Sequence, residues 1–571
     1  MNERAENLKQ AFAKDRRITR SGGRFFCGCR SGFASAKQEH RTSRRKEALT
    51  IFDRGTFPAD INQLYCKSLI AFLAGTVALS PGLFTYAASP DFLWARPATN
   101  RIDIGHAGGS VARSVASDCL SNVFVAGTFT STVIRFGAAA LTNTTSGQGN
   151  FLCKYDSSGS LLWARLAGTN SGSRPLTVAV DASTNVWVAG YISGTAMFGT
   201  NSLVTSGPLA VFLAKYDGSG QVVWVRQIDA YDPAVINPLG LSVASDGSAF
   251  IAGRCNGTAN FGAVSLTNTS ALLAKYGNDG GLIFAQAALA ANAIVATVNG
   301  SVYLTGPGLL AKYGPLGDLV WSRSFPNGSA IALDALENVY STGYGAGTYD
   351  GLALTNSGGH ADFFLAKCNS EGSLQWLRQI GGTQQERGTG VAPDRYGNIF
   401  VTGISATASP EPSLVFGSTT LTNSLWFVAK YDASGNPQWA RSSSPSVRAS
   451  AFGLALSSPD AVLVAGSFYN NTSFGGLTLS EADTWGAGAA YAAKLATAQS
   501  PMIPVLGPTA ADGNSHIQFV VTGAPGFMYT VEASTSLTQW TPLFTNNSPF
   551  VFVDFASTNF PVRFYRARLA P

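Results

Sequence analysis

Eight side chains in this sequence have chemistry to offer a ligand, and all fall in segments that vary while their surroundings repeat. They are His106, Arg113, Arg174, Asp229, Asp232, Glu386, Arg387 and Arg448. Two carboxyl groups on either side of a glycosidic bond can serve as acid and as base or nucleophile, so Asp229 or Asp232 with Glu386 is the pair suited to work on a glycan. Arginine presents a planar fork that matches a carboxylate, which suits Arg174 and Arg387 to uronate sugars. Polar loops supply such a set by chance, however, and no nucleophile motif accompanies them. The reading is therefore of ligand-binding loops without a catalytic residue, and the alternative is a polysaccharide lyase or glycoside hydrolase.

Metal and cofactor chemistry are not expected. The chain has 7 Cys and 4 His, with neither a CxxC pair nor a Cys/His cluster. Cys119, Cys153, Cys255 and Cys368 read as small buried fillers, with a Cys119–Cys153 disulfide as the alternative.

A formal net charge of +6 raises the question of nucleic acid. Residues 1–67 hold 15 Lys or Arg against 7 Asp or Glu, a balance of +8, which leaves 24 against 26 in the other 504 residues. The basic excess belongs to the leader, so no nucleic-acid face is expected on the body. From Lys67, an apolar run to Leu79, a Pro81-Gly82 break and the small residues around Ala87-Ala88 have the parts of a secretory signal peptide over 67–88. The run is short for a membrane span. Residues 1–66 read as a basic extension, disordered or foreign to the mature product.

The segments between the variable loops recur. One marker is W-x-R, at Trp94, Trp163, Trp224, Trp321, Trp376 and Trp439, with a degenerate copy at Phe284. A second is an apolar run into Lys, as at Lys154, Lys215 and Lys494; a third is N-V-x-V-x-G, as at Gly127, Gly190 and Gly403. Each marker occurs seven times. Most copies add F-G and L-T between the third marker and the second, as at Phe136 and Phe198; the fourth copy lacks it. VAVD, NVWVAG, FLCKY and LLWAR are four strand-like runs per copy, joined by turn residues such as Asp156-Ser-Ser-Gly159. Four antiparallel strands repeated in this way describe an all-β, seven-bladed β-propeller over residues 91–498.

The joined motif FLAKYD-x-SG-x-LLWAR and G-x-AVD-x-x-GN-V-x-VAGY resembles the bacterial β-propeller repeat family called SBBP, related in layout to NHL propellers, over residues 91–496. The resemblance implies an exported or cell-surface scaffold. By analogy, VAVD is the innermost strand and LLWAR the outermost, and the orphan strands Phe92–Arg96 and Tyr491–Leu495 complete one blade together. Trp and Arg of W-x-R then fill the wedge between blades, and the repeated Lys pairs with a neighbouring blade's acid or carbonyl. The series Asp118, Asp181, Asp246, Asp334 and Asp394, with Asn299 once, reads as turn residues, calcium being the sharper alternative.

After the linker 499–505, residues 506–571 hold five alternating apolar runs, enough for a small β-sandwich. The run YTVEASTSLTQW with RFYRAR resembles a terminal module of large exported proteins from Verrucomicrobia-like bacteria. Arg563, Arg566 and Arg568 read as a solvated face. The expectation is a monomeric, exported binding protein, secreted or on the cell surface, that meets a protein or polysaccharide.

Overall fold

Every repeat becomes a four-stranded antiparallel sheet. The computed structural model describes residues 48–50, 92–496 and 505–569, apart from short intervening segments that include 102–107, 172–173, 231–238, 381–384, 444–448 and 481–487. The signal segment expected over 67–88 and most of the 499–505 linker lie outside these residues.

Sheet A pairs Ser110–Ser117, Val123–Phe129, Gly149–Tyr155 and Leu161–Leu166 in that order. Sheet B follows with Arg174–Val180, Val186–Ile192, Leu209–Tyr216 and Val222–Ala230. Sheet C uses Leu239–Val243, Ala249–Asn260, Ser265–Tyr276 and Leu282–Ala287. Sheet D is the short one: Ala293–Ala296, Val302–Gly306, Leu309–Tyr313 and Leu319–Ser324. Sheet E comprises Asn327–Leu333, Val339–Gly345, Asp362–Cys368 and Leu374–Ile380. Sheet F comprises Glu386–Pro393, Ile399–Ser405, Trp426–Tyr431 and Pro437–Arg441. Sheet G takes Ser450–Leu456, Ala461–Phe468 and Ala489–Ala496 from the end of the array and Phe92–Pro97 from its start.

The first strands touch one another in the order A to G, and that of G touches that of A. The fold is all-β and propeller-like. Second and third strands are buried along their whole length in sheet A, as VFVAGTF and GNFLCKY, because each lies between two neighbouring sheets. The F-G and L-T markers form small hairpins such as Val133–Phe136 with Ala139–Thr142. Sheet D, lacking them, joins its middle strands through Pro307-Gly308, where Gly308 takes a φ of 74°.

The W-x-R strand holds the next sheet. Indole N–H groups of Trp94, Trp163, Trp224 and Trp376 each donate, at 3.2 Å, to a carbonyl in the last turn of the following sheet: Ser157, Gly218, Asn278 and Ala433. Arg96, Arg226 and Arg378 place Nε on the glycine carbonyl of the same turns, at 2.7, 2.7 and 2.9 Å. That glycine has positive φ, +80° at Gly280, and a Cβ there would lie 2.8 Å from the Trp224 ring. The arginine also covers the face of its own tryptophan, 5.2 Å from the ring centroid at Arg226.

The repeated lysine crosses the same seam. Lys154 and Lys215 donate to the next sheet's Gly218 and Asn278 carbonyls at 3.2 and 3.3 Å, and lie 3.9 and 3.8 Å from Asp118 and Asp181 of their own sheets. The carbonyl is the neighbour's and the acid its own, except that Lys312 reaches Glu337 of sheet E at 3.4 Å. The acids also close their turns: Asp118 Oδ1 accepts from the Leu120 and Asn122 amides. The expected acidic series slips in two copies. Sheets C and D begin this turn at Ala244 and Thr297, and Asp246 and Asn299 stand two residues later, each accepting from the amide of Ser248 or Ser301. Among the described residues, Cys153, Cys255 and Cys368 are buried and free, and Cys119 is free and exposed, so the disulfide alternative falls.

The C-terminal residues form two sheets around Phe519, Val521, Tyr529, Val531 and Tyr565, with Tyr396 from the first turn of sheet F packed against them. One sheet pairs Phe564–Leu569 with Met528–Ser534 and with the strand Ala48–Thr50. The arginines are not a solvated face. Arg566 and Arg568 both bond the buried Glu532, at 2.8 and 2.6 Å, and Arg563 bonds the buried Asp554 at 3.0 Å. Burial pushes the Glu532 carboxyl upward, but the hydrogen bonds and charges of Arg568 and Arg566 outweigh it and hold the group below the usual glutamate range.

Trp439 of sheet F is as buried as Trp224, 8% exposed in each case, yet its N–H has no partner among the described residues. Sheet G takes its last strand from the other end of the array and has no turn there to grip. Trp224→Phe is therefore expected to destabilise the protein more than Trp439→Phe by about 1 kcal/mol, the worth of one hydrogen bond, in paired urea titrations. For Glu532, a depressed folded pKa means stability present above the ordinary value of 4.5 and lost as pH falls through the folded value. Glu532→Gln should lower the melting point of the C-terminal residues at neutral pH and narrow its difference from wild type on acidification, followed by scanning calorimetry.

Candidate functional site: the axial cavity

Where the first strands meet, they enclose a cavity of about 380 Å³ lined by residues from every one of them, sheets A to G. The wall follows from one irregularity repeated around the ring. Pairing of first and second strands slips between Ala112 and Ser114, Pro175 and Thr177, Gly328 and Ala330, Gly388 and Gly390, and Ala451 and Gly453. Each slip is a β-bulge, and the extra residues are Arg113, Leu176, Ser329, Thr389 and Phe452.

The bulge explains the glycine that ends N-V-x-V-x-G. A Cβ on Gly127, Gly343 or Gly466 would lie 2.2, 2.1 or 1.7 Å from the first-strand carbonyl of Val111, Asn327 or Ser450. Backbone approaches backbone there, and no side chain fits.

Bulge residues and their neighbours stitch adjacent first strands together. Thr389 Oγ1 donates to the Ala451 carbonyl at 2.9 Å, and Asn292 Nδ2 donates to the Gly328 carbonyl at 2.7 Å. Ser114 Oγ accepts from the Val178 amide at 3.1 Å. Arg113 lies over the Phe452 ring, 5.5 Å from its centroid, across the seam between sheets A and G.

The structure treats the sequence-derived residues unequally. Arg113 lines the cavity. Arg174 and Arg387 occupy equivalent backbone positions, opposite Tyr191 and Ile404, one residue beyond the second-strand glycine in each sheet. They stand on the first strands themselves and not in the preceding loops, as do Arg113 and Glu386. Arg387 is exposed, donates from Nε to Ser329 Oγ at 2.9 Å and covers the Tyr344 ring at 5.6 Å. Glu386 beside it is buried, 1% exposed, and its Oε1 accepts from Ser405 Oγ at 3.3 Å.

Asp229 is elsewhere. It lies on the fourth strand of sheet B, paired with Ala210 and Asn260, and its Oδ1 accepts from Gln227 Nε2 at 2.6 Å. The structure does not bring it beside Glu386, which stands on the first strand of sheet F. His106, Asp232 and Arg448 lie outside the described residues. Trp187 and Trp426 are fully buried packing residues and offer no surface on which a sugar could stack. Among the described residues no group of His, Cys, Asp and Glu is arranged to hold a metal ion.

Sequence reasoning overlooked Asn292, Ser329, Thr389 and Phe452 as cavity residues. A signal for them existed. Each stands five residues before the first residue of its hairpin turn, Thr297, Asp334, Asp394 or Ser457, as Arg113 does before Asp118.

No protein-family model and no curated protein matches this chain. Among solved structures it is similar to a protein of unknown function from Dyadobacter fermentans, at 9% identity and TM-score 0.35 over 72% of this chain and 98% of that one. It is also similar to an acylaminoacyl peptidase of Pyrococcus horikoshii, at 8% identity and TM-score 0.34 over 72% of this chain and 57% of the peptidase. The PQQ domain of pyranose dehydrogenase from Coprinopsis cinerea matches at 10% identity and TM-score 0.28, over 56% of this chain and 92% of the domain. The chain thus spans a little over half of the peptidase, and likenesses this distant assign it no activity.

Because Arg387 is exposed and, among the described residues, its guanidinium meets only a hydroxyl and a ring face, its removal should cost little. Arg387→Ala is expected to change stability by about 1 kcal/mol or less in urea denaturation, which leaves it usable as a binding variant.

Proposed function

We propose that sheets A to G are the blades of a seven-bladed β-propeller and that the chain is an exported, monomeric binding protein of the SBBP type. Its ligand surface is the axial mouth, and the ligand is an acidic polysaccharide or an acidic protein segment. The observation that supports this reading is the contrast between the rim, where the same Trp, Arg and Lys clasp recurs, and the cavity wall, where equivalent positions hold Arg113, Asn292, Ser329, Thr389 and Phe452. Identical scaffolding with unlike residues at one mouth is the arrangement of a recognition surface.

The basic groups at that mouth, Arg113 and Arg387, are each held over an aromatic ring that orients the guanidinium. A carboxylate is the partner such groups suit. The enzymatic reading needs two carboxyl groups across a cleft. Asp229 on a fourth strand and the buried Glu386 on a first strand give it no support. For localisation, no helix among the described residues is long and apolar enough to cross a membrane; export rests on the sequence over 67–88.

Affinity electrophoresis through gels containing polygalacturonate, alginate or neutral dextran tests the proposal, with reducing ends and unsaturated uronates assayed in parallel. Retardation by the acidic polymers, weakened in Arg113→Ala and Arg387→Ala and without turnover, is expected. Release of reducing ends or unsaturated uronates would overturn the non-enzymatic assignment, and retardation unchanged in both variants would overturn the placing of the site.

A further inference from the structure

The turns joining first to second strands and third to fourth strands lie on one face of the array, opposite the small F-G hairpins. On that face stand the three most exposed large apolar side chains among the described residues: Val298 and Leu316, each 84% exposed, and Leu336, 81% exposed. Val298 and Leu336 belong to the first turns of sheets D and E, and Leu316 to the last turn of sheet D. These turns abut. A Cβ on Gly300 would lie 3.7 Å from that of Pro315, and Lys312, two residues before Gly314, reaches Glu337 beside Leu336 at 3.4 Å.

Register makes Leu316 unusual, because the other last turns place Ser158, Ser219, Asp279, Glu371 and Ser434 at its position. The turn itself gains nothing from a leucine, and apolar side chains grouped on a surface mark a place that is covered. Sheet F shows such cover. Its Tyr396 holds the position of Leu336, and the C-terminal residues pack on it. The patch therefore continues an existing interface onto the neighbouring sheets. Its surroundings are acidic: Asp246, Asp279, Asp318 and Glu371 are exposed, with Arg323 as the exposed cation, whereas Lys275, Lys312 and Lys367 are buried or half-buried. A segment that fits this surface carries apolar residues beside positive charge.

The chain itself carries such a segment. Lys67 opens the apolar run that ends at Leu79, and it closes a stretch of 15 Lys or Arg against 7 Asp or Glu. The described residues on either side bring the segment to this face. Thr50 pairs with Tyr565 in the C-terminal sheets, which pack on the first turn of sheet F. Phe92 pairs with Leu495, at the end of sheet G where the other sheets make their last turn. Residues 80–91 span about 40 Å when extended, enough to carry the run across the turn face.

From this juxtaposition we infer that in the unprocessed chain residues 67–79 cover the turn-face patch of sheets D and E, with the apolar run on Val298, Leu316 and Leu336 and Lys67 against the surrounding acids. The driving force is burial of apolar surface on both sides, and tethering at both ends raises the effective concentration of the segment. Removal of 67–88 on export, as proposed above, bares the patch. The docking uses none of the axial residues, so its failure leaves the axial reading standing.

Amide hydrogen exchange read by mass spectrometry on the full chain, with its leader intact, tests the inference. Amides of 68–79 are expected to exchange at least tenfold more slowly than unprotected chain, at a rate independent of protein concentration. The double variant Leu316→Asp/Leu336→Asp should lose that protection while the strands of sheets D and E keep theirs. Lys67→Glu, outside the described fold, should weaken it. Leu120→Asp, at the position of Leu336 in sheet A, should leave it unchanged. Exchange of 68–79 at the unprotected rate overturns the inference, as does protection undiminished in the double variant or in Lys67→Glu, or lost in Leu120→Asp. Protection that falls on dilution assigns the cover to a second copy and overturns it too.

Discussion

Everything in the array depends on the grip of one sheet's outer strand on the last turn of the next. Propeller-like sheets diverge from the axis, so a gap widens between neighbours toward the rim, where the hydrophobic contact of the middle strands no longer reaches. Trp224 fills that gap with its ring and spends its only polar atom on the Asn278 carbonyl; Arg226 lies over the ring and bonds Gly280. Lys215 reaches the same turn from deeper in the seam. Three side chains thus converge on one turn. That turn holds its shape because Asp217 Oδ1 or its equivalent accepts from amides two and four residues on, and because glycine supplies a positive φ.

The constraint runs inward as well. A sheet held at its rim fixes where its first strand stands, and the first strands crowd at the axis. Relief comes from the bulge, which pushes a carbonyl toward the second strand and so demands Gly127, Gly343 and Gly466. In sheets A, E, F and G it also brings one additional residue, Arg113, Ser329, Thr389 or Phe452, to the cavity. Rim and axis therefore tolerate opposite things. At the rim a substitution breaks a contact between two sheets, whereas at the bulge the side chain contributes little to its own sheet and is free to differ.

This division explains what could be read from the chain. The repeats were legible because the clasp needs fixed residue types: W-x-R, the apolar run into Lys and the glycine of N-V-x-V-x-G recur, whereas strand order, with its closing pair Phe92–Pro97 and Ala489–Ala496, comes from the resemblance to NHL-type blades. The cavity was far less legible. Arg113 stood out because it is charged; Ser329, Thr389 and Phe452 did not, since a bulge leaves no residue type of its own at the bulged position. Asp229 misled for the opposite reason, being a carboxylate in a variable stretch that the fold carries to the rim strand of sheet B. Arg566 and Arg568 read as solvated from their alternation, but Glu532 across the sheet buries their charge, and only cross-strand register reveals such a pairing.

Closure carries its own consequence for stability. Taking the last strand of sheet G from the start of the array removes every free sheet edge at the seam, but it also deletes the turn that Trp439 would hold. Sheet G grips forward normally, with Trp94 and Lys494 both bonded to the Ser157 carbonyl of sheet A, at 3.2 Å each. The ring is thus clasped on one side of sheet G and, at Trp439, relies on ring packing on the other. Backbone pairing between Phe92–Pro97 and Ala489–Ala496 joins chain segments about 400 residues apart, so forming it carries the largest loop-closure cost in the array. Opening should begin at this seam: the boundary between sheets F and G lacks the indole bond that Trp94, Trp163, Trp224 and Trp376 make elsewhere, and sheet G is held together by the contact most remote in sequence.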